Sequence, residues 1–252
     1  MRDERQKYIL KLIEENDYLK VSEASKMFGV TEMTIRRDLQ ELERQGKLNR
    51  VHGGATKIDS YWDNNYTELS HTQKLSMNTN EKRQVAKKAA ELIKDGDIIF
   101  IGAGTTTEYI YEYLNISTAK VITNSISIFN SFKDDPRFDL ILIGGKLRER
   151  TGTFIGYFTR KWIQDIKVQK VFIGTNGIMD DYITTAEEEE GVVQRIILNN
   201  SDKNYVLADS TKFGVEAFQV LCNIDILDGI ITDKNIQPEY EEFYKGKCNI
   251  IK

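Results

Sequence analysis

Thr31-Glu-Met-Thr-Ile-Arg-Arg-Asp-Leu39 opens a helical pattern that runs to Gln45 and decides the fold of the first part of the chain. Thr31 suits an N-cap, because its side-chain oxygen can accept from the free backbone N–H groups of a first turn. Ile35, Leu39 and Leu42 recur at helical spacing as one apolar face, while Thr34, Arg36, Arg37, Gln40 and Arg44 project from the others. Two adjacent arginines early in a helix can meet both phosphate oxygens and base edges, as a helix lying in the major groove must. The same Arg-Arg-Asp run also fits a solvated face laced by local ion pairs.

The flanks favour the first reading. Asp3 to Glu15 carries Ile9, Leu10, Leu12 and Ile13, the stripe of a preceding helix. Ser22 is expected to cap a short second helix, Glu23 to Phe28, with Ala24 and Met27 inward, and Gly29 supplies the turn before Thr31. That order is a helix-turn-helix. After Gly46, Lys47-Leu-Asn-Arg-Val-His-Gly-Gly-Ala55 suggests a hairpin with Arg50 and His52 at its edge, the place of a wing beside a phosphate backbone.

Arg5, Ile9 and Ile13, then seventeen residues, then Thr31, Thr34-Ile-Arg-Arg-Asp-Leu39 and His52-Gly-Gly-Ala55 closely resemble the N-terminal domain of DeoR-type bacterial transcription repressors. The resemblance implies that double-stranded operator DNA is the partner. The DNA-binding residues are then Ser22, Thr31, Thr34, Arg36, Arg37, Gln40, Arg50 and His52.

The net charge of −4 over 252 residues argues against nucleic acid until it is divided. Residues 1–57 hold 12 Lys/Arg against 10 Asp/Glu, and the remaining 195 hold 23 against 29. Placement of Arg36, Arg37, Lys47, Arg50 and Lys57 carries the argument, and bulk charge does not. No run approaches the roughly eighteen apolar residues of a membrane span, and no apolar signal region follows the charged start, so a cytoplasmic protein is expected. Cys222 and Cys248 have no zinc spacing and suggest no structural disulfide.

Residues 58–80 change character. Tyr61, Trp62 and Tyr66 lie in a polar stretch without periodicity and Ser76-Met-Asn-Thr-Asn80 is turn-rich, which reads as a linker between a winged helix-turn-helix domain at 1–57 and a second domain at 81–252. From there helix and strand alternate. Helices are expected at 81–94, 105–114, 126–132, 156–166 and 187–199, and strands at 97–102, 120–123, 138–145, 168–174, 204–208 and 227–232. This predicts an α/β domain with a largely parallel sheet covered on both faces.

In such a fold ligands sit at the carboxyl ends of the strands. The loops there are Gly102-Ala-Gly-Thr-Thr-Thr107, Thr123-Asn-Ser125, Gly144-Gly-Lys-Leu-Arg148 and Asp209-Ser-Thr-Lys-Phe-Gly214. In the first, two glycines let backbone N–H groups approach an anion, three threonine hydroxyls add donors, and a following helix would turn its positive end to the site. Glycine for geometry and threonine for capping explain the same residues without a ligand. The loop lacks the Gly-Lys-Ser/Thr ending of a P-loop and the third glycine of a dinucleotide fingerprint, and no cofactor or metal is expected.

Taken in order, the four loops resemble the sensor domain of DeoR-type repressors, similar in fold to ribose-phosphate isomerases and hexosamine-phosphate deaminases. The resemblance implies a phosphorylated-sugar effector held by Gly102, Gly104, Thr105, Thr106 and Thr107, with Asn124 and Ser125 on phosphate or sugar hydroxyls. Gly145 and Arg148 follow on the third loop. Lys212 would meet an anion or carbonyl oxygen, and Asp209 would orient Lys212 or cap a turn. Gln169 and Tyr182 stand where the family commonly has an acidic residue and a glycine, which bears on ligand identity. Leu69-Ser-His-Thr-Gln-Lys74 and Gly102-Ala-Gly-Thr-Thr-Thr-Glu-Tyr-Ile110 are similar to the branch that represses lactose or galactose phosphotransferase-system genes, implying tagatose phosphate as inducer, and paired half-sites imply a symmetric homo-oligomer for repressors of this design. Glu187 to Glu190 reads as a helix N-terminus.

A sugar-phosphate isomerase or deaminase with an appended DNA-binding domain is the competing class. It needs a positioned carboxylate or histidine. His52 and His71 fall in the wing and the linker, and Asp139, Asp180 and Asp181 lie in no catalytic signature, so no catalytic residue is assigned.

Overall fold

The computed structural model describes residues 2–16, 18–51, 53–56 and 69–252. It divides into one unit at Met1–Thr67 and another at Glu68–Lys252. His52, Lys57, Tyr61, Trp62 and Tyr66 lie outside the described residues.

The first unit runs α1 (Arg2–Asn16), β1 (Tyr18–Lys20), α2 (Val21–Phe28), α3 (Glu32–Arg44), β2 (Asn49–Val51) and β3 (Gly54–Thr56). Ile9 and Ile13 of α1, Ala24 of α2, Ile35, Leu39 and Leu42 of α3, and Leu48 close one core. Gly29 terminates α2 with φ 62°, a left-handed conformation that costs glycine little. The wing has three strands, ordered β1-β3-β2 and antiparallel.

Two local expectations change. Helix α2 starts one residue before Ser22, with Lys20 as its N-cap and no side-chain cap bond. The reason is that β1 leads directly into the helix, and Val21 N–H donates to Gly53 O at 2.7 Å, so the wing's turn serves a backbone group that a cap would otherwise serve. Met27 is 59% exposed, since the apolar stripe is made by Val21 and Ala24 with Phe28 packed against the core.

The second unit begins ahead of residue 81. Within the stretch read as a linker, Ser70 and Gln73 form a capping box on α4 (His71–Leu75), and α5 (Thr79–Glu91) follows. Then come β4 (Ile98–Ile101), a 3₁₀ helix (Thr107–Tyr113), β5 (Ala119–Thr123), α6 (Ile126–Phe132), β6 (Phe138–Leu142), β7 (Lys146–Arg148) and β8 (Thr153–Ile155). These lead to α7 (Tyr157–Ile163), β9 (Val168–Gly174), β10 (Gly177–Met179), β11 (Tyr182–Thr185), α8 (Glu188–Asn199) and β12 (Ser201–Leu207). The chain continues through β13 (Gln219–Asn223), β14 (Gly229–Ile231), α9 (Pro238–Tyr244) and β15 (Ile250–Ile251). The expected helix at 105–114 is thus a tighter 3₁₀ element of seven residues, too short to supply much dipole. The acidic run behaves as read, with Glu187 at the N-cap of α8.

Seven strands form one parallel sheet, ordered β15-β14-β12-β9-β4-β5-β6. Both faces are covered. Val171 and Ile173 of β9 enter one core with Val193 and Ile197 of α8. Phe172 between them enters the other with Val85 and Ala89 of α5. Strands buried on both sides need the near-continuous apolar runs seen in the sequence.

The chain builds outward from the middle of this sheet in two directions. β4, β5 and β6 extend to one side, and β9, β12, β14 and β15 to the other. The switch point therefore lies between β4 and β9, and sheets of this kind hold ligands outside the carboxyl ends of the strands at that point. A hairpin (β7, β8) and a small antiparallel sheet (β10, β11, β13) are additions that the alternation did not announce.

Candidate DNA-binding and effector sites

In α3, Thr31 caps the helix as expected, accepting from Thr34 N–H at 3.3 Å, and its hydroxyl meets that of Thr34 at 2.9 Å. Arg37 and Gln40 are exposed and carry no side-chain hydrogen bond or ion pair among the described residues. Arg36 lies 3.5 Å from Glu32, and its buried Nε has no partner. Arg50 leans on Glu43, by its backbone N–H at 2.9 Å and its guanidinium at 3.6 Å. Ser22 is half-buried in the first turn of α2.

Asp38 does something different from its arginine neighbours. It is 2% exposed and accepts from Arg5 Nε at 2.5 Å and Gln6 Nε2 at 3.3 Å, which fixes α3 against α1. In the Arg-Arg-Asp run the aspartate is a brace, and Arg37 is left for solvent or a ligand.

In the second unit the Gly102 to Thr107 loop sits at the switch point. A Cβ on Gly102 would come within 2.9 Å of Ile173, so packing against β9 requires glycine there. The three threonines are all buried but not equivalent. Thr107 Oγ1 donates within the loop, to Gly102 O and Gly104 O at 2.8 Å each. Its one hydrogen closes the loop, contrary to the expectation of three ligand donors. The hydroxyls of Thr105 and Thr106 carry no hydrogen bond among the described residues.

Asn124 and Ser125 are also engaged. Asn124 Nδ2 donates to Phe154 O at 2.9 Å, pinning β8. Ser125 caps α6, and its hydroxyl lies 2.9 Å from that of Ser127. Ser127 gives its only hydrogen to Glu108 Oε1 at 2.5 Å, so Ser125 is the donor in their contact. Glu108 Oε1 also accepts from His71 Nε2 at 2.5 Å. The residue read as part of a linker is therefore tied to the threonine loop.

The third loop is occupied by its own structure. A Cβ on Gly145 would lie 2.0 Å from Thr159 Oγ1, which explains the glycine by close packing. Arg148 pairs with Glu190 at 3.2 Å and Glu187 at 3.5 Å, clamping the hairpin to the start of α8. Asp209 caps the 3₁₀ turn that carries Lys212. Of the two positions that depart from the family's pattern, Gln169 accepts from Ile98 N–H at 2.8 Å and Tyr182 is exposed on β11.

Lys82 was missed. It is 4% exposed on the buried side of α5, and its Nζ donates to Lys74 O. Burial lowers its pKa to about 8, with Asp209 and Glu108 opposing the shift and Lys212 and Lys74 adding to it. These partners place Lys82, Asp209, Lys212, Lys74 and Glu108 in one electrostatic cluster. A lysine four residues before Ala86 and seven before Ala89, on an otherwise apolar stripe, was the available signal. Asn78 belongs here too. It adopts φ 50° and turns its amide to Asp209 Oδ1 at 3.3 Å and Thr211 Oγ1 at 3.2 Å in place of capping α5.

Residues 5–61 match the DeoR-like helix-turn-helix domain and residues 77–234 match the DeoR C terminal sensor domain. The chain belongs to the DeoR family of DNA-binding transcriptional repressors. It is 38% identical over 247 residues to the lactose phosphotransferase system repressor of Lactococcus lactis subsp. lactis, covering 97% of this chain and 96% of the relative. It is 38% identical over 234 residues to the repressor of the same name from Streptococcus mutans, covering 92% of each. It is 36% identical over 229 residues to that of Staphylococcus epidermidis, covering 90% of each. Among solved structures, a D-ribose-5-phosphate isomerase in complex with phospho-erythronic acid aligns at TM-score 0.41 and 18% identity, over 54% of this chain and 55% of the other. The eIF2B beta of Chaetomium thermophilum aligns at TM-score 0.47 and 14% identity, over 68% and 54%. Among the described residues no helix is long and apolar enough to cross a membrane.

Proposed function

We propose that this repressor reads operator DNA with α3, chiefly through Arg37, Gln40 and Thr34 with Arg36, Arg50, Ser22, Thr31 and His52 around them, and that a phosphorylated sugar bound at the β4–β9 switch point controls it. The carrying observation is the burial of Thr105 and Thr106 in the loop after β4 and of Lys82 on α5, whose ammonium shares an electrostatic cluster with Glu108, the residue that follows that loop. A buried ammonium beside hydroxyl and backbone donors favours an anion, and phosphate is the anion that such donors at a switch point suit. The names of the relatives support a role in lactose phosphotransferase-system regulation, and tagatose phosphate is the effector proposed here. Paired half-sites on DNA favour a symmetric homo-oligomer, and a repressor acting on bacterial operator DNA works in the cytoplasm.

The site binds and does not turn over. Glu108 Oε1, the carboxylate oxygen facing His71, already accepts two hydrogen bonds, which makes it a brace and a poor base. Thermal-shift screening of the protein against sugar phosphates and their unphosphorylated counterparts tests the reading, because a ligand that binds only the folded state raises the unfolding midpoint. A rise with the phosphorylated member alone is expected. Equal shifts from both members of a pair would remove the phosphate from the account, and conversion of the sugar during incubation would restore the enzyme reading.

A further inference from the structure

Four aromatic side chains of the second unit stand close to two-thirds exposed, Tyr157 at 63%, Phe158 at 65%, Trp162 at 67% and Phe218 at 64%. The first three lie on α7, whose buried positions are Thr159 and Ile163, so the helix anchors itself by its smaller side chains and turns its large rings outward. Phe218 directly precedes β13. Between α7 and β13 lies α8, which packs against both. Glu189 of α8 approaches Gly156 at the start of α7, while Gly191 lies against Gln219 of β13, and residues two apart on a helix point roughly 200° apart. The two elements therefore flank α8 on opposite sides. Val192 and Ile196, half-buried, lie on the arc between those flanks that does not face the core. Lys161 of α7 and Glu188 in the first turn of α8 are exposed on this surface, and neither has an ion pair among the described residues.

We infer that this surface, centred on Phe158 and Trp162, is where two copies of the chain meet about a two-fold axis. This rests on the homo-oligomer proposed above and deepens it by assigning the contact. Area supports a second copy as the occupant. An aromatic side chain buries about 150–250 Å², so four rings exposed to this degree offer roughly 400–650 Å². A stable interface takes about 800 Å² from each partner, about 65% of it apolar in homodimers, or roughly 520 Å². The rings alone supply that apolar share. Charge points the same way, because a two-fold axis sets the surface against its own copy and lets a basic and an acidic group on it pair twice, crosswise. Isolated exposed apolar residues need no partner, whereas a patch of this extent does.

The test is sedimentation velocity of the full chain over a dilution series, for wild type, Phe158→Glu, Trp162→Glu and Trp162→Phe. Each glutamate should raise the dissociation constant at least about tenfold, because it buries an unpaired charge at the centre of the contact, and Trp162→Phe should stay close to wild type. Thermal unfolding of each variant checks that the fold is kept. The chain has two tryptophans, so a Trp62→Phe background makes Trp162 the single emitter. Its emission should move to shorter wavelength, and its quenching by acrylamide should fall, as concentration drives association. If wild type associates while both glutamate variants associate within about twofold of it, the surface is misassigned and the homo-oligomer survives. If wild type sediments as a monomer throughout, the homo-oligomer reading fails and the assignment falls with it. Should the glutamate variants not fold, the emission of Trp162 decides alone, and emission independent of concentration in an associating protein overturns the assignment.

Discussion

His71 Nε2 donates to Glu108 Oε1 at 2.5 Å, joining the helix nearest the start of the second unit to the first residue after the threonine loop. The bond to Glu108 raises the imidazole pKa above its ordinary 6.5, against the opposing effect of burial. A raised folded-state pKa stabilises the fold fully below the unfolded value of about 6.5, and that contribution fades as pH climbs through the raised value. Unfolding midpoints of wild type should therefore fall between pH 6 and 8 more steeply than those of His71→Gln. Parallel curves would show that the pair does not form in solution.

Asp38 is expected to matter for stability, unlike the arginines beside it. Asp38→Ala leaves Arg5 facing a buried vacancy and should cost about 3 kcal/mol, measured by urea denaturation. A loss under about 0.5 kcal/mol, the range of ordinary surface changes, would contradict the brace.

Arg37 is exposed and should be felt only on DNA. Arg37→Ala should keep the melting temperature and weaken operator binding by about 1–3 kcal/mol if it meets a base, or flatten the salt dependence by about one ion if it meets a phosphate. Unchanged affinity and unchanged salt slope for the Arg36→Ala, Arg37→Ala double variant would mean that α3 is not the reading helix.

Lys82 has a pKa lowered to about 8, so the folded state releases its proton more readily than the unfolded chain. The penalty on stability is present below about pH 8 and is relieved as pH rises towards the ordinary lysine value of about 10.5. An anion bound beside it reverses the shift. Effector binding near pH 8.5 should then take up a fraction of a proton, visible as calorimetric heats that differ between buffers of different ionisation enthalpy. Lys82→Met should abolish that uptake, and identical uptake in the variant would place the anion elsewhere.

Much of the architecture was legible because it depends on local patterns. The stripe of Ile35, Leu39 and Leu42 marked α3, and the unbroken apolar runs at 168–174 and 97–102 marked strands buried on both faces. What stayed hidden depends on partners distant in sequence. Tyr18–Lys20 is a strand only because Leu19 pairs with Ala55, and three residues carry no period of their own. The hydroxyl of Thr107, the amide of Asn124 and the guanidinium of Arg148 look like ligand donors in sequence, yet each is committed to a group that folding brings near. His71 and Lys82 show the opposite: in sequence one falls in a turn-rich polar stretch and the other interrupts an apolar stripe, and only α4 and α5 set them among Glu108 and Asp209.

In the proposed function one molecule couples a sugar phosphate at the threonine loop to operator DNA. Thr106 is buried, and Thr106→Asp sets a carboxylate against the incoming phosphate. Operator titrations of wild type and Thr106→Asp, each with and without tagatose 6-phosphate, measure the coupling directly. The ligand should change wild-type operator affinity by about 5- to 150-fold, and the variant should bind operator normally and not respond. An equal ligand response in both proteins would place the effector away from the threonine loop.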